Sequence, residues 1–280
     1  MSVRLTILGC GSSGGVPRIG NDWGLCDPAE PKNRRLRCSL LVEKYGDNGC
    51  TTVLIDTGPD LREQLLTADV QRLDAVLYTH AHADHLHGID DLRAFMVRDR
   101  RRIQVHMDAP TYAKARHAFD YCFETPPGSN YPPILDRHPM EAGRVVTIDG
   151  PGGSLQFLPV EVRHGEINAL GFRIGNAAYV PDISSFFDQS LDSLQGLDVL
   201  ILDCLRRRPH PSHFNLDDAL EWTAKLAPER TIFTNLHNDL DYAALTDELP
   251  AGIEPAFDGL QIEFGDAHDR RHATIEEHAG

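Results

Sequence analysis

The feature that most constrains this chain is the run Thr79-His80-Ala81-His82-Ala83-Asp84-His85, which directly continues the apolar stretch Ala75-Val76-Leu77-Tyr78. Four metal-competent side chains fall within six residues. Residues i and i+2 of a strand project to one side, so His80 and His82, at the end of a strand over 75–79, can grip one ion together. Asp84 and His85 lie past the strand end, where the chain turns, and can face a second ion. A hard carboxylate beside imidazoles suits Zn, Mn or Fe. The plain alternative is a solvated histidine-rich loop with no ion. The buried strand that feeds the run argues for ligands, because idle charges do not belong there.

One cluster cannot complete the shells of two ions. Three other apolar runs end in a ligand-type residue: LPVEVRH at His164, AAYVPD at Asp182 and TIFTNLH at His237. Strand ends are where sites on open sheets gather. A lone histidine there is more often structural, but three such ends beside one cluster point to a shared centre. His213 follows the strand-like VLILD (199–203) only after a loop. That position suits a movable acid or a phosphate contact, and equally an exposed loop histidine. Asp56, closing TVLID, is read either as orienting a metal-bound imidazole from behind or as a turn aspartate.

Elsewhere short β-rich runs alternate with helical ones. Strands are expected at 3–8, 39–43, 52–56, 103–107, 144–148, 154–164, 170–175, 177–180, 199–203 and 231–236, with a final strand pair around Asp258-Gly259. Helices are expected after Pro59 and near 89–96, 110–119, 184–194 and 215–226. The stretch 124–133 is a loop by composition, and a mobile cover is the other reading. This texture predicts a mixed α/β (α+β) fold, an αββα sandwich of two face-to-face sheets with helices outside. Residues 1–265 are expected to form one domain, and 266–280 a polar, disordered tail.

The net charge of −15 disfavours a long nucleic-acid partner, which needs clustered cations. No apolar run approaches the ~20 residues of a membrane span, so no membrane partner is expected. The opening apolar stretch is too short for a signal peptide, and the chain is read as cytoplasmic. The six cysteines have no C-x-x-C spacing and are expected to be free thiols. A homodimer is one option for the oligomeric state.

The ordered set His80-x-His82-x-Asp84-His85, His164, Asp182 and His237 resembles that of the metallo-β-lactamase superfamily. Within it the chain looks most like the phosphoribosyl cyclic phosphate phosphodiesterases of bacterial carbon–phosphorus lyase systems. The likeness covers roughly residues 3–264. It rests on the glycine loop Leu8–Pro17, the basic segment Arg34–Ser39, the stretch Asp203–His213 and Phe257-Asp258-Gly259. The resemblance implies two divalent ions, Mn or Zn. His80, His82 and His164 would hold one. Asp84, His85 and His237 would hold the other, with Asp182 bridging. It also implies His213 as general acid, with Asp84 and Asp182 in the catalytic group. That family carries a structural zinc on a cysteine cluster, whereas Asn21 to Cys38 here holds only Cys26 and Cys38, so no such zinc is expected.

The expected activity is hydrolysis of a small cyclic or nucleotide-like phosphodiester by a hydroxide that bridges the ions. Two ions ~3.5–4 Å apart lower the pKa of such a water to about 7. Arg34, Arg37, Ser39 and Arg206 are the candidates to hold the substrate, with Arg35, Arg207 and Arg208 beside them. A solvated surface is the other reading of the arginines. Loop 9–15 either cradles an anion through its N–H groups or uses glycine only to turn tightly. A non-catalytic carrier on the same fold, and a hydrolase of thioesters or other esters, are the rival functions.

Overall fold

The computed structural model describes residues 2–265, so the expected tail 266–280 lies outside the described residues. Two sheets form the centre. The first joins β1 (Ser2–Gly9), β2 (Ser39–Gly46), β3 (Gly49–Ile55), β4 (Ala75–Leu77), β5 (Ile103–Met107) and β6 (Leu135–Pro139). The second contains β7 (Val146–Ile148), β8 (Leu155–His164), β9 (Ile167–Ile174), β10 (Ala177–Val180), β11 (Ser185–Phe186), β12 (Val199–Asp203), β13 (Arg230–Thr234) and β14 (Ile253–Pro255). The last strand, β15 (Gln261–Gly265), returns to the first sheet beside β1. The sheet orders are β15-β1-β2-β3-β4-β5-β6 and β11-β8-β9-β10-β12-β13-β14, with β7 on β8.

Strand alternation builds the layers. Leu5, Ile7, Leu40, Val42, Val53 and Ile55 meet Phe157, Phe172, Tyr179, Ile201 and Ile232 in one core between the sheets. Their strand neighbours Leu8, Leu41 and Leu54 point the other way, into a second core under the helices of the first half. Leu200, Leu202 and Phe233 do the same beneath the helices of the second half. Three cores separated by two sheets are the αββα sandwich. Each fully buried Leu, Ile or Phe contributes ~1.5–3 kcal/mol relative to exposure. The helix Leu216–Leu226 shows how an outer layer attaches. Asn215 caps it by accepting from the N–H groups of Asp217 and Asp218, Asp218 accepts from the Asn215 N–H in return, and Leu216, Ala219, Thr223 and Leu226 are buried.

Three expectations change, the first at 184–194, where the expected helix opens as the short strand β11 on β8 and only then turns helical, over Asp188–Leu191 and Asp192–Leu194. The strands flanking Asp258-Gly259 do not pair with each other: β14 runs parallel to β13 in the second sheet, and β15 runs antiparallel to β1 in the first. The helix expected at 89–96 is a 3-10 turn, Ile89–Leu92, followed by an α-helix, Arg93–Asp99. The strand β6 and the helix Tyr242–Glu248 were not foreseen. β6 is an edge strand of mostly polar residues ending in Pro139, so it carries no buried alternation to read.

Candidate metal centre

Parallel pairing places the site. β3 and β4 run parallel, so Asp56 and Thr79 leave the first sheet at the same end. β10, β12 and β13 are parallel neighbours, which gathers Asp182, Asp203 and Asn235 at one end of the second. The histidine run joins them through a tight crossing. A Cβ on Gly58 would collide with the carbonyl of Asp84, and one on Gly88 with the carbonyl of Gly58. Only glycine lets the two loops approach so closely.

Hydrogen bonds fix which ring nitrogens are free. Asp56 is fully buried and its carboxylate accepts from the Thr79 N–H at 2.8 Å and the Thr79 hydroxyl at 2.7 Å. With its proton given to Asp56, the Thr79 oxygen accepts from His80 Nδ1 at 3.0 Å. That leaves His80 Nε2 as a bare acceptor, buried and without a partner. His164 donates from Nδ1 to the Ser212 carbonyl at 2.6 Å, so its Nε2 is bare as well. This nitrogen stands 3.2 Å from His82 Nδ1. Burial holds His80 and His164 below the usual histidine range, which keeps both neutral and their lone pairs available. His80, His82 and His164 thus converge as one potential ligand group.

A second group adjoins it: His80, His85 and Asp182. His85 donates from Nδ1 to Asp56 at 2.7 Å, and its Nε2 lies 3.1 Å from Asp182 Oδ2 and 3.6 Å from Asp84 Oδ2. Burial works against charge on His85, but Asp182 and Asp56 outweigh it and hold its pKa well above the usual range. An environment that favours positive charge there is what a cation site requires. Asp182 is buried as well, with its Oδ2 turned toward His85 Nε2. These side chains fit divalent ions.

His213 stands beside the centre. It donates from Nδ1 to Asp203 at 2.8 Å, and Asp182 Oδ1 lies 3.6 Å from the same nitrogen. Burial lowers the pKa of His213, but Asp203 and Asp182 push it up to about 9. Burial raises Asp203 to about 6 against the pull of His213. A cavity of about 160 Å³ opens in front, lined by Ser12, Arg18, Arg206, His210, His213 and His237 among others.

The remaining expected residues fall elsewhere. His237 is not in any of the ligand groups. Its Nδ1 faces Asp239 Oδ1 at 3.1 Å, its Nε2 meets the Arg18 guanidinium, and it lines the cavity. The residue just past β13 that does reach the centre is Asn235, whose amide donates to Pro181 O at 3.0 Å and lies 3.3 Å from Asp182 Oδ1. Ser39 is fully buried and its hydroxyl donates to the Ile55 and Asp56 carbonyls, so it holds that turn and not a substrate. Arg37 is paired with Asp60 at 2.9 Å, and Arg34 lies over the Trp23 ring. Arg206 lines the cavity. Arg35 is buried and structural. It donates to the His237 and Leu240 carbonyls and to Asn33 Oδ1, with Cys26 Sγ at 4.0 Å. All six cysteines are free thiols. The glycine loop turns tightly, with the Cys10 N–H given to Asp258 and the Gly11 N–H to Leu36 O.

Asp203, Asn235 and Arg18 were missed by sequence reasoning. Asp203 carried a usable signal, since VLILD is an apolar run ended by a carboxylate, like AAYVPD. Arg18 and Asn235 carried none, because only tertiary contact brings them to the cavity.

Residues 51–235 match the family model described as a Beta-lactamase superfamily domain. Among solved structures, a diphosphatase described as from the PhnP family superposes with a TM-score of 0.84 at 40% identity, covering 94% of this chain and 98% of that one. An octanoyltransferase of Porphyromonas gingivalis is 30% identical over 263 residues, 92% of this chain and 51% of that protein. A ribonuclease Z of a Bradyrhizobium species is 27% identical over 154 residues, 53% of this chain and 47% of that protein. The chain therefore spans about half the length of these curated relatives.

Proposed function

The chain belongs to the β-lactamase superfamily, and on that footing we propose that it is a metal-dependent phosphodiesterase of small, cytoplasmic diesters. The observation that carries this reading is the convergence of three imidazoles, with His164 Nε2 3.2 Å from His82 Nδ1 and His80 Nε2 buried beside them without a hydrogen-bond partner. A buried imidazole nitrogen with no donor to satisfy it is costly unless a cation takes its lone pair. His80, His82 and His164 would hold one divalent ion and Asp84 and His85 a second, with Asp182 between them. Mn and Zn both suit this donor set.

Bound ions of this kind supply a water that is nucleophilic near neutral pH and neutralise charge on phosphoryl oxygens. The chain's own residues do the rest. Asp56 and Thr79 orient the His85 and His80 rings from behind. Arg18 and Arg206 present positive charge across the cavity, where a non-reacting anionic part of the substrate would bind. Asp203 holds His213 protonated, with Nδ1 turned inward, so that its other nitrogen is the one left to give a proton to a departing alkoxide. The small cavity and the net charge of −15 favour a small substrate over a long nucleic acid. The octanoyltransferase relative is about twice as long as this chain, and the activity in its name gives the acyl-ester reading as the second one.

The test is hydrolysis of bis(p-nitrophenyl) phosphate and of acyl thioesters by protein loaded with Mn²⁺ or Zn²⁺. Diester turnover that disappears in folded His82→Ala and Asp182→Ala variants supports the reading. Full turnover in protein stripped of metal, or turnover of thioesters alone, refutes it.

A further inference from the structure

The metal centre is not equally furnished on its two sides. The first position is faced by three imidazoles, His80, His82 and His164, two of which have bare nitrogens fixed by hydrogen bonds behind them. The second is faced by Asp84, His85 and Asp182, and the other imidazole within reach, His80, is shared with the first. The strand that could add a nitrogen is β13, whose neighbours β10 and β12 deliver Asp182 and Asp203 to the same end. What arrives from β13 is Asn235. It is buried, and its side-chain nitrogen lies 3.0 Å from the Pro181 carbonyl, 3.3 Å from Asp182 Oδ1 and 3.2 Å from His213 Nδ1. A carbonyl and a carboxylate oxygen both require a donor, so the NH₂ end must face the centre and cannot ligate a cation.

His237, two residues on, does not replace it. Its Nδ1–H donates to Asp239, its Nε2 accepts from Arg18, and its own N–H is held by the Leu205 carbonyl at 2.9 Å. Both ring nitrogens already have partners. The backbone after β13 is fixed as well, because the Leu236 N–H is tied to Cys10 O at 2.7 Å and the His237 carbonyl accepts from buried Arg35.

We infer that this chain holds one ion tightly, at His80, His82, His164 and Asp182, and a second one loosely, because Asn235 stands where β13 would supply a ligand and His237 serves the cavity wall with Arg18. The inference rests on the metal-centre reading but not on which ester is cleaved. Loss of even an outer-shell partner costs ~10–100-fold in metal affinity, so the two affinities should differ at least ~10-fold.

The experiment titrates metal-stripped protein with Mn²⁺ alone, following free ion by electron paramagnetic resonance and heat by calorimetry. Wild type should bind in two classes separated at least ~10-fold. Asn235→His places an imidazole at a left-handed position (φ 62°) that histidine tolerates, and it should tighten only the weaker class. Asn235→Asp is the second variant should the first fail to fold. His237→Ala should leave both classes within about twofold, well under the loss expected of a ligand. Two equally tight ions in wild type, or loss of one class in His237→Ala, overturns the inference. Neither outcome depends on turnover, so a failure of the proposed activity remains distinguishable.

Discussion

His213 and Asp203 set the chemistry of proton delivery. With a pKa pushed up to about 9, His213 carries its proton at neutral pH and loses it only above that value. If it serves as the acid, kcat for an alkyl-leaving diester falls as pH rises through this range. Asp203→Asn removes the carboxylate that raises the pKa, so the alkaline limb should move to lower pH in a kcat profile. His213→Ala should slow alkyl diesters by ~10²–10⁴ but barely affect nitrophenyl esters, whose leaving group needs no proton. Equal losses on both ester types would remove the acid role. Much of this layer was legible in the primary structure. His80, His82, Asp84, His85, His164 and Asp182 each end or follow an apolar run, and the structure brings all six to one place. His237 met the same description yet faces Arg18 and Asp239. A period-two pattern says which side of a strand a residue takes, but past the strand end at Thr234 that rule no longer applies.

At the scale of elements, the loops between strands are held by Asp258 and by buried Arg35. Asp258, in the turn between β14 and β15, accepts from the Cys10 N–H at 3.0 Å and the Leu36 N–H at 2.7 Å, tying the glycine loop to the basic segment. Asparagine can satisfy only one of these donors, so Asp258→Asn should cost ~1–3 kcal/mol in urea unfolding. Burial raises the pKa of Asp258 to about 7, above its unfolded value of about 3.9. Between those values the native state keeps a proton that the unfolded chain releases, so ionising this group lowers stability as pH rises from about 4 to 7. The Asn variant should lose that component of the pH dependence, and an unchanged slope would count against it. Arg35 joins the segment before β2 to the loop after β13 through the His237 and Leu240 carbonyls. Arg35→Ala leaves those buried oxygens unsatisfied and should destabilise by a few kcal/mol, on the order of 1–3 per orphaned group. The strands and major helices were readable from their periodicity. These clasps were not, because their partners lie over 200 residues apart in sequence.

At the scale of the whole molecule, the candidate ligands come from both halves of the sandwich. His80, His82, Asp84 and His85 follow β4, whereas His164 closes β8 and Asp182 follows β10. Removal of metal should therefore lower global stability and not only activity. An ion present at a thousandfold over its Kd adds about 4 kcal/mol. A chelator should lower the thermal midpoint accordingly, and a midpoint indifferent to chelator would deny the coupling. The two-sheet architecture was foreseeable from composition and run lengths, but the return of β15 to the first sheet was not, since it depends on pairing with the opening strand. The origin of the ligands on opposite slabs has a kinetic corollary. A cation seated there is a rivet through the seam, and it should hold the slabs together against local opening. Stripping the metal should then quicken deuterium uptake by amides lining that seam, and uptake indifferent to the ion would show that the rivet carries no load.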